Sequence, residues 1–125
     1  MPTVAQSQEY TLAAYNFLVQ FEFVESPLFA SLLQDYLNDD EYAAFQLYLC
    51  ENPDAGDVVK GSGGVRKIRW ARQGSGKSGG VRICYYLRTR AGQILLLVIY
   101  AKSVRDTLKG HVLKALKEEF DHADD

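Results

Sequence analysis

The sequence predicts an α+β fold: an N-terminal strand and helix pair, then a three- to four-stranded, mainly antiparallel sheet and a C-terminal helix. Three observations carry that expectation. Apolar residues recur at helical spacing between Leu28 and Leu49, three strand-sized runs crowd between Val65 and Tyr100, and another helical stripe extends from Val104 to Phe120. A chain of 125 residues is one domain's worth. Residues 1–19 fit no template strongly and are read as an N-terminal extension of unknown role. Residues 20–120 form the single domain, and 121–125 an acidic tail.

Phe21-Glu-Phe-Val24 alternates as a short strand. Ser26 followed by Pro27 opens a helix, because serine caps free N–H groups and proline has none to leave unpaired at the first helical position. Phe29, Leu32, Leu33, Tyr36 and Leu37 form its apolar stripe. Asn38-Asp39-Asp40 ends that helix and caps a second, in which Tyr42, Phe45 and Leu49 continue the pattern until Asn52-Pro53. A short antiparallel helix pair is expected, followed by loop from Asp54 to Gly64. Val65 to Ala71 then alternates, with Ile68 and Trp70 on the core face and Lys67 and Arg69 on the other. After a Gly/Ser connection, Val81 to Arg88 puts Ile83, Tyr85 and Leu87 inward and Arg82 and Tyr86 outward. Thr89 to Gly92 reads as a hairpin turn whose glycine supplies the positive φ. Ile94 to Tyr100 is apolar throughout, as expected of a central strand covered on both faces. Ser103 and Asp106 resemble a capping box, opening a helix to about Phe120 with Val104, Leu108, Val112, Leu116 and Phe120 on one stripe.

The composition, 47% hydrophobic, 24% charged and 12% aromatic, excludes a disordered chain. No apolar run approaches the roughly 20 residues of a membrane span. The first Lys or Arg is Lys60, so no basic secretory leader is expected and a cytoplasmic location is. Two cysteines and two histidines, scattered, predict neither a disulfide scaffold nor a metal site, and no cofactor is expected.

The net charge of −2 conceals a partition. Residues 1–59 hold ten acids and no Lys or Arg, whereas residues 60–105 hold eleven bases and no acid. Fields act locally, so a cationic segment without counter-charges attracts polyanions whatever the total. The loop Ala71-Arg-Gln-Gly-Ser-Gly76-Lys77-Ser78 matches a relaxed phosphate-loop pattern. Its mechanism requires a helix N-terminus after the lysine, but Gly79-Gly80 and a strand pattern follow, so nucleotide binding is not expected.

Strand alternation sends Lys67 and Arg69 out together, about 7 Å apart by the strand rise. An antiparallel return lets Arg82 and Tyr86 join them, with Lys102 and Lys77 able to reach the rim. Cations with phenols suit a nucleic-acid backbone, since Arg and Lys hold phosphates and tyrosine stacks on bases. The same set suits RNA cleavage by an internal 2′-OH, which needs a base, an acid and positive charge on the phosphorane. His111 and His122 lie in the terminal helix or its tail, so no histidine serves there. A lysine whose pKa is lowered by neighbouring cations can take the acid/base part, and arginines can clamp the phosphate.

The runs Val65-Arg-Lys-Ile-Arg-Trp70, Gly80-Val-Arg-Ile-Cys-Tyr-Tyr86 and Leu95-Leu-Leu-Val-Ile-Tyr-Ala-Lys102, with the Gly/Lys/Ser connection between the first two, resemble the RelE/ParE toxin superfamily, most of all its HigB-type branch. The resemblance spans about residues 20–120. It implies a type II toxin that enters the ribosomal A site and cuts mRNA, restrained by an antitoxin that is often a helix-turn-helix protein. By position it assigns catalysis to Lys67, Arg69, Arg82 and Lys102: Lys67 as acid/base partner, the arginines as clamps, Lys102 as charge support. RNA contacts are expected from Arg66, Arg72, Lys77, Tyr86 and Tyr100. Ser103 stands where many members carry arginine, and no tyrosine follows Tyr100; Tyr86 and Tyr100 are the available substitutes. The competing readings are a ParE-like gyrase inhibitor without nuclease activity and a plain RNA-binding module. Trp70 is read as core, Cys84 as a reduced thiol on the site face, and Cys50 as unpaired.

Overall fold

A computed structural model describes residues 21–71, 80–102 and 108–123. In chain order the elements are β1 (Glu22–Glu25), α1 (Pro27–Tyr36), α2 (Asp39–Glu51), β2 (Asp57–Val58), β3 (Arg66–Trp70), β4 (Val81–Arg88), β5 (Gln93–Ala101) and α3 (Gly110–Ala123), with a 3₁₀ turn at Thr89–Ala91. The fold is α+β, as the sequence predicts. The sheet has five strands in the order β1-β5-β4-β3-β2 rather than three or four. The added edge strand is β2, two residues long and antiparallel to β3, within the stretch expected to be loop. The pairing of β1 with β5 is parallel, so the sheet is mixed.

The helix starts follow local chemistry. Ser26 Oγ accepts from Phe29 N at 2.9 Å and donates to the Leu97 carbonyl at 2.7 Å, so the residue that caps α1 also ties it to the sheet. Asn38 and Glu41 form a reciprocal capping box for α2, with both hydrogen bonds at 2.8 Å. At the far end of β4, Gly92 takes φ 66°, the left-handed conformation that glycine adopts without steric cost.

Two apolar layers cover the sheet. On one face, Phe29, Leu33, Leu37, Phe45 and Leu49 of the α1–α2 region pack against Val81, Ile83, Tyr85, Ile94, Leu96 and Ile99. On the other, Leu113 of α3 packs among Val65, Cys84, Leu95, Leu97, Val98 and Tyr100. The central strand is therefore buried on both sides. Between Cys84 and Tyr85 the pairing with β5 slips by one residue, because Cys84 faces Val98 and Tyr85 faces Leu96. This β-bulge turns Leu97 and Val98 to the same layer.

The C-terminal helix begins at Gly110, and Ser103, Val104 and Asp106 of the expected capping box and stripe lie outside the described residues. Its buried anchor is Leu113, while Val112, expected on the stripe, is 38% exposed. The helix continues to Ala123, past the expected end near Phe120. Its first residue rests on the Lys60–Ser62 turn: a methyl at Gly110 would overlap the Lys60 carbonyl oxygen and lie 2.8 Å from the Gly61 carbonyl carbon. Backbone cannot swing aside as a side chain can. Gly110→Ala is therefore expected to cost about 1–3 kcal/mol, the usual range for overpacking. Urea unfolding checks this, and a midpoint equal to wild type would count against the contact.

Candidate functional site

β3 and β4 carry the site on the face opposite the α1–α2 layer. Ile68 and Trp70 point into that layer, so alternation sends Lys67 and Arg69 the other way. The register places Arg69 directly opposite Arg82, Lys67 opposite Cys84 on one side, and Lys67 opposite Asp57 on the other. Asp57, Lys67, Arg69 and Arg82 line one open depression of about 430 Å³. α3 packs on this same face of the sheet, over Cys84, Val98 and Tyr100, and none of its residues lines the depression.

Like charges directly across a strand pair destabilise a sheet, and Arg69 and Arg82 are such a pair. Among the described residues the ion pair present is Arg88–Asp121 at 2.8 Å, far from this depression in sequence and strand position. No described carboxylate lies within 4 Å of Lys67, Arg69 or Arg82. An anion held between the two guanidiniums would relieve their repulsion. The acids of α1 and α2 sit behind the sheet, whereas Asp57, from the same acidic half of the chain, lines the depression.

Cys84 lies fully buried, directly across from Lys67 on the neighbouring strand. Burial pushes its thiol up to about 11, against the opposing effects of the Lys67 charge and a hydrogen bond from Tyr100. The thiol stays protonated near neutral pH, and its place is that of a packed side chain. Tyr100 is only 5% exposed, opposite Arg82 but under the α3 layer, so its ring presents no stacking surface. Tyr86 is half-buried with the Lys117 ammonium 4.5 Å from its ring centroid, and that ammonium also donates to the Gly63 carbonyl at 3.0 Å. One face of the Tyr86 ring is thus occupied by a cation–π contact. Lys102 is exposed one residue past β5, at the sheet's end, outside the depression's lining.

Arg66 is not brought to the depression. It alternates with Lys67, so its side chain lies on the opposite face, where Nη1 donates to the carbonyls of Gly56 at 2.7 Å and Asp54 at 3.1 Å. Its work there is to hold the loop before β2. Arg72 and Lys77 lie outside the described residues. Asp57 is the member that sequence reasoning missed. Its signal was available: Asp57-Val-Val and Val65-Arg-Lys flank a glycine-rich turn, the arrangement of a hairpin.

No protein-family model matches the chain. Among solved structures the chain is similar to the E. coli toxin RelE, determined in the free state as a double arginine-to-alanine mutant, with a TM-score of 0.53 and 11% sequence identity over 76% of this chain and 94% of that one. The likeness is one of fold: this chain has a RelE-like α+β architecture.

Proposed function

We propose that this protein is the toxin of a type II toxin–antitoxin module, of the HigB-like branch, and that it cleaves mRNA in the ribosomal A site as a ribosome-dependent endoribonuclease. The observation that supports this best is the Arg69–Arg82 cross-strand pair, joined by Lys67 in an open depression, on a RelE-like fold. In this reading the two arginines hold the non-bridging oxygens of the scissile phosphate through the paired N–H donors of their planar forks. Lys67 is the acid/base partner beside them, and Lys102 adds positive charge at the rim. Arg72, Lys77 and Tyr86 extend the RNA contact. The ribosome supplies the substrate's geometry, which a shallow site with few acid/base groups cannot impose alone.

The partners of this reading are a ribosome-bound message and a cognate antitoxin of the helix-turn-helix type, in the cytoplasm. No helix among the described residues is long and apolar enough to cross a membrane.

Inducible expression in a bacterial host tests it. Wild type is expected to arrest growth and leave new mRNA 5′ ends at a fixed position within codons, and an Arg82→Ala control to do neither. Growth arrest with double-strand DNA breaks and intact messages would replace this reading with gyrase inhibition. RNA affinity without arrest would leave a binding module.

A further inference from the structure

Among the described residues, Asp57 is the one carboxylate lining a depression otherwise built from cations. A negative charge there opposes phosphate binding, so its place calls for a chemical reason. Its backbone is also held from beneath. Tyr85, fully buried, accepts from Gly56 N through its hydroxyl oxygen at 2.9 Å and donates to the Pro53 carbonyl at 2.9 Å. Arg66 grips the Gly56 and Asp54 carbonyls from the same side. A methyl at Gly56 would meet Tyr85 Cε1 at 3.0 Å and the Lys67 carbonyl oxygen at 3.1 Å, so the residue before Asp57 is packed tightly against β3.

The register gives the spacing. Asp57 faces Lys67 directly, while Arg82 stands two strands away and two residues along. With strands about 4.8 Å apart and a rise of about 3.4 Å per residue, the Asp57 and Arg82 Cα atoms are roughly 12 Å apart. Side chains reaching in from both rims leave room for one ribose and its 3′-phosphate, with the carboxylate at one end and the guanidiniums at the other.

We infer that Asp57 is the general base of the cleavage step, an assignment that rests on the nuclease reading and divides its acid and base roles between two residues. The Asp57 carboxylate takes the proton of the ribose 2′-OH as the 2′-oxygen bonds to phosphorus. The bond from phosphorus to the 5′-oxygen breaks, and the leaving oxygen receives a proton from the Lys67 ammonium. The products are a 2′,3′-cyclic phosphate and a 5′-hydroxyl. Asp57 is left protonated and Lys67 neutral, and one proton passed between them through water restores both. Arg66 and Tyr85 are positioning residues for this carboxylate.

The test separates binding from chemistry. Wild type, Asp57→Asn and Asp57→Ala are mixed with ribosomes carrying a message in the A site, and affinity and single-turnover cleavage are measured, with thermal unfolding as the folding control. Both variants are expected to bind as tightly as wild type or tighter, because a negative charge has gone, and to cleave about 10²–10⁴-fold more slowly, the range for a lost general base. Sodium formate at constant ionic strength is expected to restore part of the cleavage by Asp57→Ala, and sodium chloride none, since only the former supplies a carboxylate. Either Asp57→Asn cutting at the wild-type rate or formate and chloride acting alike would overturn the assignment while leaving the nuclease reading intact. Wild type that leaves the message uncut would overturn both.

Discussion

Arg82→Ala is expected to slow single-turnover cleavage of a ribosome-bound message by about 10²–10³-fold, the loss typical of removing one group that stabilises developing negative charge. Arg82 faces Arg69 across the β3–β4 pair, and the two can grip one phosphate from both sides with charge-assisted hydrogen bonds. Arg82→Lys keeps the charge but not the planar fork, so its rate should fall between alanine and wild type. Folding should be nearly untouched, within about 0.5 kcal/mol, because the side chain is in no described ion pair and its removal relieves a like-charge contact. Rate constants and urea midpoints measured on the same preparations check both halves. A variant that cuts normally would move the phosphate elsewhere on the surface. The Arg69→Ala effect should be of similar size, and the double variant should lose less than the product of the two, because the arginines act on one group.

Phe45→Ala is expected to cost about 3–5 kcal/mol of stability, the range for deleting a buried aromatic ring. Phe45 is fully buried and meets Trp70 edge-on, with centroids 5.2 Å apart and planes at 72°, so its loss removes both area and a favourable ring geometry. Trp70 ends β3, the strand that carries Lys67 and Arg69 on its other face. The cavity would therefore lie behind the site rather than beside it. Denaturant unfolding measures the cost, and a loss under 1 kcal/mol would mean that α2 closes over the gap. Cleavage by the folded fraction should fall less than with Arg82→Ala, since the cations themselves remain.

Much of the fold was legible in the chain because its signals are local. Ser26-Pro27 and Asn38 to Glu41 specify helix starts by hydrogen bonds three residues long. The alternation of Lys67 and Arg69 against Ile68 and Trp70 fixes which face each residue occupies, and the antiparallel return then brings Arg82 into line. Three features escaped for identifiable reasons. β2 is too short to show any period, and the hairpin arrangement around its glycine-rich turn is outweighed by the loop composition of Pro53 to Gly64, so the place of Asp57 beside Lys67 was missed. Arg66 is expected among the RNA contacts, yet alternation with Lys67 turns it to the opposite face. The stripe in the last helix was read through Val112, whereas packing selects Leu113; the helix starts from a glycine seated on a distant turn, which no neighbouring residue announces. Tyr100 illustrates a wider limit: apolar surroundings determine that a tyrosine is covered, and sequence spacing cannot reveal that an α-helix from elsewhere does the covering.

The parallel pairing of β1 with β5 bears on when the protein can assemble. Glu22 to Glu25 must find partners at Gln93 to Leu96, and Ser26 must reach the Leu97 carbonyl, 71 residues later. Closing so long a segment is entropically costly and slows folding relative to proteins built from neighbouring contacts. During synthesis at about 5–20 residues per second, the first strand waits several seconds for its partner to leave the exit tunnel. The finished sheet, and the rigid backing it gives to β3 and β4, arrives only after β5 has emerged.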